Sequence, residues 1–313
     1  MSGRKVIVRV PATSSNLGPG FDCLGLALGL YNFVEMKVVP EGSEVTVQGE
    51  GASEIPTDES NLTLRAARRV FDLNRAHPAG LSLRLTNNIP PARGLGSSAA
   101  AVVGGLVAAN ALSGSRLSSS ELLNLAGEMD GHLDNVAPAL LGGLTVVVPD
   151  GTAALGLRLE PPAGLLAVAA VPAVNVYTSR ARAVLPREVP FADAVFNLGR
   201  VALLVGALTE GRFEFLASAM ADRLHQKYRE HLVPGLTGVI GAALKAGALG
   251  AALSGSGPTV IALTNDPEKA VPIAAGMREA LGKLGLSAWT PTLVPDREGA
   301  CTVETADGGA ICS

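Results

Sequence analysis

An α+β architecture of about two domains is expected for this chain, on three observations. Its 313 residues suffice for two hydrophobic cores. Apolar patterns of period two and period 3.6 both occur. They follow one another without regular strand–helix–strand alternation, which argues against a doubly wound parallel sheet.

Each element has its own local cause. Residues 5–10 alternate like a strand, and a loop rich in Gly, Pro, Ser and Asn follows over 11–20. Residues 31–39 and 43–49 read as a hairpin around Pro40-Glu41-Gly42-Ser43. A helix is expected over 61–74, capped by Ser60 or Asn61. Leu81, Leu83 and Leu85 alternate with Ser82, Arg84 and Thr86, which makes a strand. An alanine-rich helix follows over 98–112, and the pair Ser118 and Glu121 forms a capping box that opens another over 118–128. Residues 144–148 and 166–171 read as strands.

The second half starts near Pro161-Pro162-Ala163-Gly164, which divides the chain into domains 1–162 and 163–313. Helices are expected over 191–209, 211–223 and 237–246. Residues 251–256 enter a Gly/Ser loop, and 260–264 form a buried strand. An amphipathic helix over 267–284 and a strand near 290–293 complete the pattern.

Composition narrows the function classes. No uninterrupted apolar run reaches the ~18 residues of a membrane span; the longest cover 99–109 and 164–174. Residues 1–9 alternate like a strand and lack a leader's apolar core, so a soluble, cytoplasmic protein is expected. The net charge of -3, without blocks of like charge, argues against nucleic-acid and membrane-surface binding. Cys23, Cys301 and Cys312 are odd in number, widely spaced and outside any metal motif, so free thiols are expected.

Chemistry concentrates at the strand-to-helix junction Pro90-Pro91-Ala92-Arg93-Gly94-Leu95-Gly96-Ser97-Ser98-Ala99-Ala100. Two glycines permit a tight turn, and two serines open the helix. Such a junction converges free backbone N–H groups at the positive end of a helix dipole, which suits phosphate. It lacks the Lys-Ser/Thr of a Walker A loop and the glycine spacing of a dinucleotide fingerprint. A plain serine-capped turn would look the same. Two further segments tip the balance toward a ligand. One is Pro11-Ala12-Thr13-Ser14-Ser15-Asn16-Leu17-Gly18-Pro19-Gly20-Phe21-Asp22-Cys23-Leu24-Gly25, a polar loop directly after a strand. The other is Gly247-Ala248-Leu249-Gly250-Ala251-Ala252-Leu253-Ser254-Gly255-Ser256-Gly257-Pro258-Thr259, whose small residues admit a close ligand.

In this order and at these separations, the three segments resemble the GHMP kinase superfamily of small-alcohol kinases. Within it, the first segment resembles the homoserine kinase family. So do Gly131-His132-Leu133-Asp134-Asn135-Val136-Ala137-Pro138-Ala139, Thr178-Ser179-Arg180-Ala181-Arg182, Asp193-Ala194-Val195-Phe196-Asn197 and Asp222-Arg223-Leu224-His225-Gln226-Lys227-Tyr228-Arg229. The resemblance runs from residue 8 to about residue 264. It implies a two-lobed fold with an ATP-binding N-terminal lobe and a ferredoxin-like C-terminal lobe. It also implies ATP and Mg²⁺ as cofactors, L-homoserine as acceptor, and a homodimer.

The resemblance also implies roles. The junction from Pro90 to Ala100 cradles the ATP phosphates, and Asn61 lies near the adenine, although a helix cap explains Asn61 equally well. Ser98 contacts Mg²⁺ with Asp130, which stands where the family usually has Glu; Glu128 is the alternative. Asn16 and Asp22 hold the polar end of the amino acid. Arg182 and Arg229 grip its carboxylate, a task suited to a planar fork of donors. Arg180, Arg187 and Arg223 are neighbouring alternatives. Asn135 orients the acceptor hydroxyl, since a neutral amide is no general base, and Asp134 supports it. His132 donates to phosphate or orders its loop. The rivals are another GHMP kinase, of shikimate or mevalonate type, and a non-catalytic ATP-binding regulator. Arg182 and Arg229 beside Asp22 suit a zwitterion, which disfavours the first rival. Intact Asn16, Asp22, Ser98 and Asn135 disfavour the second.

Overall fold

Buried Val6, Val8 and Val10 alternate with half-buried Ile7 and Arg9, so one face of β1 (Lys5–Ser15) lies on the core. The computed structural model describes residues 3–114 and 116–305. Cys312 and the first two residues of the alternating start over 1–9 lie outside them. β1 pairs antiparallel along its whole length with β2 (Leu24–Val39). The expected loop therefore begins only after Ser15, not at Pro11. Proline has no N–H to give, and the ladder accommodates Pro11 by a register shift next to it.

The expected hairpin is also corrected. β3 (Gly42–Gly49) does not pair with β2. The chain returns through α1 (Leu62–Leu73), and β4 (Gly80–Asn87) inserts between them, antiparallel to β2 and parallel to β3. A parallel pair needs a crossover, which α1 supplies. The central place buries Leu81, Leu83 and Leu85.

α2 (Ser97–Leu112) is apolar nearly all round and runs through the main core. Gly104 lets it approach Val34, and Gly105 lets it approach the Thr63 carbonyl. α3 (Ser119–Asp130) starts at the expected capping box: the Glu121 N–H donates to Ser118 Oγ, and the Ser118 N–H to the Glu121 carboxylate. α4 (Leu133–Leu141) was not expected, being short and containing Pro138. β5 (Leu144–Asp150) pairs with the start of β2 and with β6 (Ala153–Leu159). β6 escapes a burial-based pattern search because Leu155 and Leu157 point to solvent.

A second sheet holds β7 (Leu166–Pro172), β8 (Gly250–Leu253) and β9 (Val260–Thr264), with short β10 (Ala288–Trp289) and β11 (Thr292–Leu293) on β7. Between β7 and β8 come α5 (Thr178–Ala183), α6 (Phe191–Thr209), a 3-10 turn (Phe213–Phe215), α7 (Leu216–Ala219), α8 (Gln226–Arg229) and α9 (Leu236–Lys245). α10 (Pro267–Gly282) packs with α9 on this sheet through Val239, Ile273 and Met277. The single helix expected over 211–223 is thus broken into short pieces. Asp222 ends it by accepting the backbone N–H groups of Leu224, His225 and Gln226, which turns the chain into α8.

β12 (Cys301–Thr305) pairs with β1 and brings the chain back to the first sheet. Cys23 is a free thiol, but Cys301 is disulfide-bonded, which corrects the expectation of three free thiols. An odd cysteine count forbids pairing all of them, not pairing two. By length and composition, α6 alone among the described helices could cross a membrane. It reaches that apolarity despite Asp193, Asn197 and Arg200, which is why no unbroken apolar run marked it. Asn197 is buried and donates to the Pro19 carbonyl, tying α6 to the folded chain.

Candidate active site

All three glycine-rich segments meet at one cleft of about 280 Å³. An adjoining apolar pocket of about 390 Å³ is lined by Val34, Ile55, Leu62, Leu85 and Asn61. Ala92, Ser97 and Ser98 line both, so the strand-to-helix junction forms the shared rim. Gly96 caps α2 in a left-handed conformation, φ 72°, with no side-chain partner. Any side chain there would collide with Thr13. Ala100 gives the first helical hydrogen bond, to Gly96, and the preceding N–H groups face the rim without helical acceptors.

The junction's residues divide between four surroundings. Ala92, Arg93, Gly94, Gly96, Ser97, Ser98 and Ala99 line the polar cleft, while Pro91 and Ala100 line the apolar pocket. Leu95 is fully buried in the core. Pro90 lines neither and faces a separate depression beside Trp289. The Arg93 guanidinium turns to the carbonyls of Pro172 and Val174, away from a phosphate role. Asn61 caps α1, accepting from the N–H groups of Thr63 and Leu64, and also lines the apolar pocket.

Ser98 Oγ donates to Asp130 Oδ1 at 2.7 Å. Two hard oxygens side by side at the rim fit Mg²⁺, which takes few protein ligands and completes its octahedron with phosphate and water. Glu128 is exposed and faces Arg69 at 3.9 Å, away from Ser98. Among the described residues no cluster of three or more His, Cys, Asp or Glu forms an all-protein metal cage.

The rest of the cleft is densely charged. Arg182 grips Asp22 with both terminal nitrogens, at 2.7 and 3.0 Å. Its Nε donates to His132 Nε2 at 3.2 Å. His132 Nδ1 lies 2.9 Å from the Asp130 carbonyl, so a neutral ring donating from Nδ1 satisfies both contacts. Asp130 raises the His132 pKa, while burial and Arg182 oppose the rise. Arg229 is buried; Nε reaches the Ala181 carbonyl, and Nη1 reaches His225 and the Gly255 carbonyl. Burial, then the charge of Arg182, lowers its pKa to about 10, which still leaves it charged at neutral pH.

Asp134 is 3% exposed, and its Oδ1 has no hydrogen-bond partner. Burial first, then the Asp22 charge, raises its pKa to about 6. Asn135 accepts from Thr13 Oγ1 and donates to Ser15 Oγ, both at 2.9 Å, so its amide is fixed at the cleft wall. Asn16, at φ 70°, donates to the Gly255 carbonyl and accepts the Asp22 N–H, joining the first segment to the third. Asn16, Leu17, Asp22 and Ala92 all hold positive φ, a strain concentrated at this cleft.

Several contributors were not picked out from sequence. Thr13 and Ser15 hold Asn135, and Thr178 meets Ser256 at 3.1 Å on the wall. Behind the wall, His225 donates to the Gly18 carbonyl and stacks on Phe21. Burial pushes the His225 pKa down, which fits a neutral ring taking a hydrogen bond from Arg229. All of them lie in stretches quoted for the resemblance, but small hydroxyls and a lone His carry no residue-level signal. Among the alternatives, Arg223 stacks on Phe196 and faces Asp193, and neither Arg180 nor Arg187 lines the cleft.

Comparison with known proteins gives a concordant result. Residues 61–143 match the GHMP kinases N terminal domain and residues 204–283 the GHMP kinases C terminal domain. The homoserine kinase of Moorella thermoacetica is 46% identical over 95% of this chain and 99% of its own. That of Desulfitobacterium hafniense is 45% identical over 95% and 100%. A crystal structure of homoserine kinase from Cytophaga hutchinsonii superposes with a TM-score of 0.88 at 32% identity, covering 96% of this chain and 97% of that one. A mevalonate kinase from L. major shares the fold, with a TM-score of 0.72 at 18% identity. The chain belongs to the GHMP kinases and, within them, to the homoserine kinase family.

Proposed function

We propose that the chain transfers the γ-phosphoryl group of ATP to the side-chain hydroxyl of L-homoserine, a step of threonine biosynthesis. The observation that carries the substrate assignment is the convergence of Asp22, Asp134, Arg182 and Arg229 on one cleft, next to an anchored amide. Two carboxylates and two guanidiniums suit a zwitterion. A sugar offers them no charge, and mevalonate no cation.

The apolar pocket with Asn61 receives the nucleoside, and the N–H groups before Ala100 receive the phosphates. The homoserine ammonium takes a place beside Asp22 and the unpartnered oxygen of Asp134. Its carboxylate takes the outer fork of Arg182 and the free edge of Arg229. Asp22 and Arg182 then exchange each other for the two ends of the substrate. Asn135 aligns the hydroxyl in line with the γ-phosphorus. The new bond forms from the homoserine oxygen to that phosphorus as its bond to the bridging oxygen breaks. ADP leaves, and the hydroxyl proton passes to the transferred phosphoryl group or to solvent. Mg²⁺, held by Ser98 and Asp130 when bound, neutralises phosphate charge.

The division into lobes at residues 162 and 163 and a cytoplasmic location belong to the same reading. So does a homodimer, for which α6 offers a surface. Phosphorus NMR of a reaction with ATP and homoserine tests the proposal. A homoserine phosphomonoester resonance growing with ADP is expected. Inorganic phosphate alone would mean ATP hydrolysis and would overturn it.

A further inference from the structure

Thr13 and Ser15 are buried and stand two residues apart on β1, so both side chains leave the strand on the same face. Between them lies the Asn135 amide. Thr13 Oγ1 donates to Asn135 Oδ1, and Asn135 Nδ2 donates to Ser15 Oγ, each at 2.9 Å. Ser15 in turn hydrogen-bonds the Asp134 carboxylate. The direction of this chain is forced. An ionised carboxylate only accepts, so the single hydrogen of Ser15 goes to Asp134. Ser15 must then accept from Asn135, which requires the NH₂ end of the amide on that side. The carbonyl end is left to Thr13, whose hydroxyl donates to it. A flipped amide would set its oxygen against a lone pair of Ser15 and lose a buried hydrogen bond. The two ends also differ in outlook. Thr13 does not line the cleft; a Cβ on Gly96 would collide with its Oγ1 and lie 3.4 Å from Asn135 Oδ1, so this end is sealed under the phosphate junction. Ser15 and Asn135 both line the cleft. The amide therefore turns its donor end toward the substrate.

We propose that Thr13 and Ser15 are positioning residues that hold the Asn135 amide in this single sense, so that the spare hydrogen of Nδ2 meets the acceptor hydroxyl. The proposal rests on the reading of the cleft as a homoserine kinase site. One lone pair of the hydroxyl oxygen takes that N–H, and another faces the γ-phosphorus. The hydroxyl's own hydrogen is left toward a phosphoryl oxygen. Thr13 and Ser15 act through Asn135, not on the substrate, and their effect is one of alignment.

A double-mutant cycle on the full-length chain tests the assignment. Thr13→Val keeps the buried shape and deletes the donor. It is expected to lower kcat by about tenfold, with the KM for homoserine and for ATP nearly unchanged. Thr13→Ser restores the hydroxyl and is expected to restore kcat. In an Asn135→Ala background Thr13→Val is expected to cost nothing further, because the group it positions is gone. A loss of equal factor in both backgrounds overturns the proposal, as does a loss carried in KM or a failure of Thr13→Ser to rescue. The amide can also be followed without activity, in protein labelled with ¹⁵N-asparagine. The Asn135 NH₂ resonance pair is identified by its absence from Asn135→Ala. Its hydrogens are expected to exchange with water slowly in the wild type and much faster in Ser15→Ala. Rapid exchange in the wild type, or exchange unchanged by Ser15→Ala, overturns the proposal whatever the substrate. A slowly exchanging pair in a wild type that leaves homoserine unphosphorylated overturns the substrate reading and the role in transfer, and leaves the held amide standing.

Discussion

Asn135 and Arg182 separate alignment from binding. Asn135 touches Thr13 and Ser15 and leaves the ion pairs alone, so Asn135→Ala is expected to lower kcat with little change in the homoserine KM. Arg182→Ala removes the fork from Asp22 and is expected mainly to raise that KM. Steady-state kinetics of both variants check this, and the reverse pattern would mean the roles are exchanged. Asp134 gives a pH signature. Its folded pKa is about 6 against an ordinary 3.8, so the folded chain keeps a proton that the unfolded chain releases between those values. Stability from this group therefore falls as pH rises to about 6, by about 3 kcal/mol in all. Asp134→Asn is expected to exceed the wild type in stability above pH 6 and to match it near pH 4. Urea unfolding at both pH values measures the difference, and a difference independent of pH would contradict it. If Asp134 receives the ammonium, wild-type 1/KM for homoserine rises through the same interval. Asp22, Arg182, Arg229 and Asn135 were all legible in sequence as residues, yet the mutual pairing of Asp22 with Arg182 was not. Charge type can be read from a chain, but the partner of a charge depends on residues far apart in it.

At the scale of elements, local rules were reliable wherever the cause was local. The Ser118–Glu121 box opens α3 where the spacing put it, and Asn61 caps α1. Ser118→Ala is expected to cost about 1 kcal/mol and leave activity intact, because Ser118 is exposed and remote from the cleft. Chemical denaturation beside an activity assay checks both, and a loss of activity at unchanged stability would contradict it. Expectations failed where a distant partner decided. β3 was matched to β2 by nearness in sequence, but α1 carries the chain back so that β4 takes the place between them. The helix expected through 211–223 ended early because Asp222 takes the backbone N–H groups of Leu224, His225 and Gln226 and the Asn197 amide. That network, with His225 behind Phe21, also fixes the loop that presents Asp22, so α6 supports the site from outside.

For the whole molecule, the decisive fact is convergence. Segments that begin near residues 11, 90 and 247 meet at one cleft although two different sheets carry them. The Asn16 amide on the Gly255 carbonyl and Ser254 Oγ on both Ser14 and the Gly94 carbonyl tie these segments together directly. β12 was invisible in sequence, since five residues with mixed polarity form a strand only because the edge of β1 receives them. The fold's two sheets were legible in kind, from periodicity, but their strand orders were not, because order is set by pairing across the whole chain. The account's central claim is that this cleft selects a zwitterionic alcohol. ADP release by the purified protein with Mg-ATP and, separately, homoserine, shikimate, mevalonate and galactose tests it most directly. Homoserine alone is expected to drive ADP formation well above background; equal rates with mevalonate or galactose, or no response to homoserine, would contradict the claim.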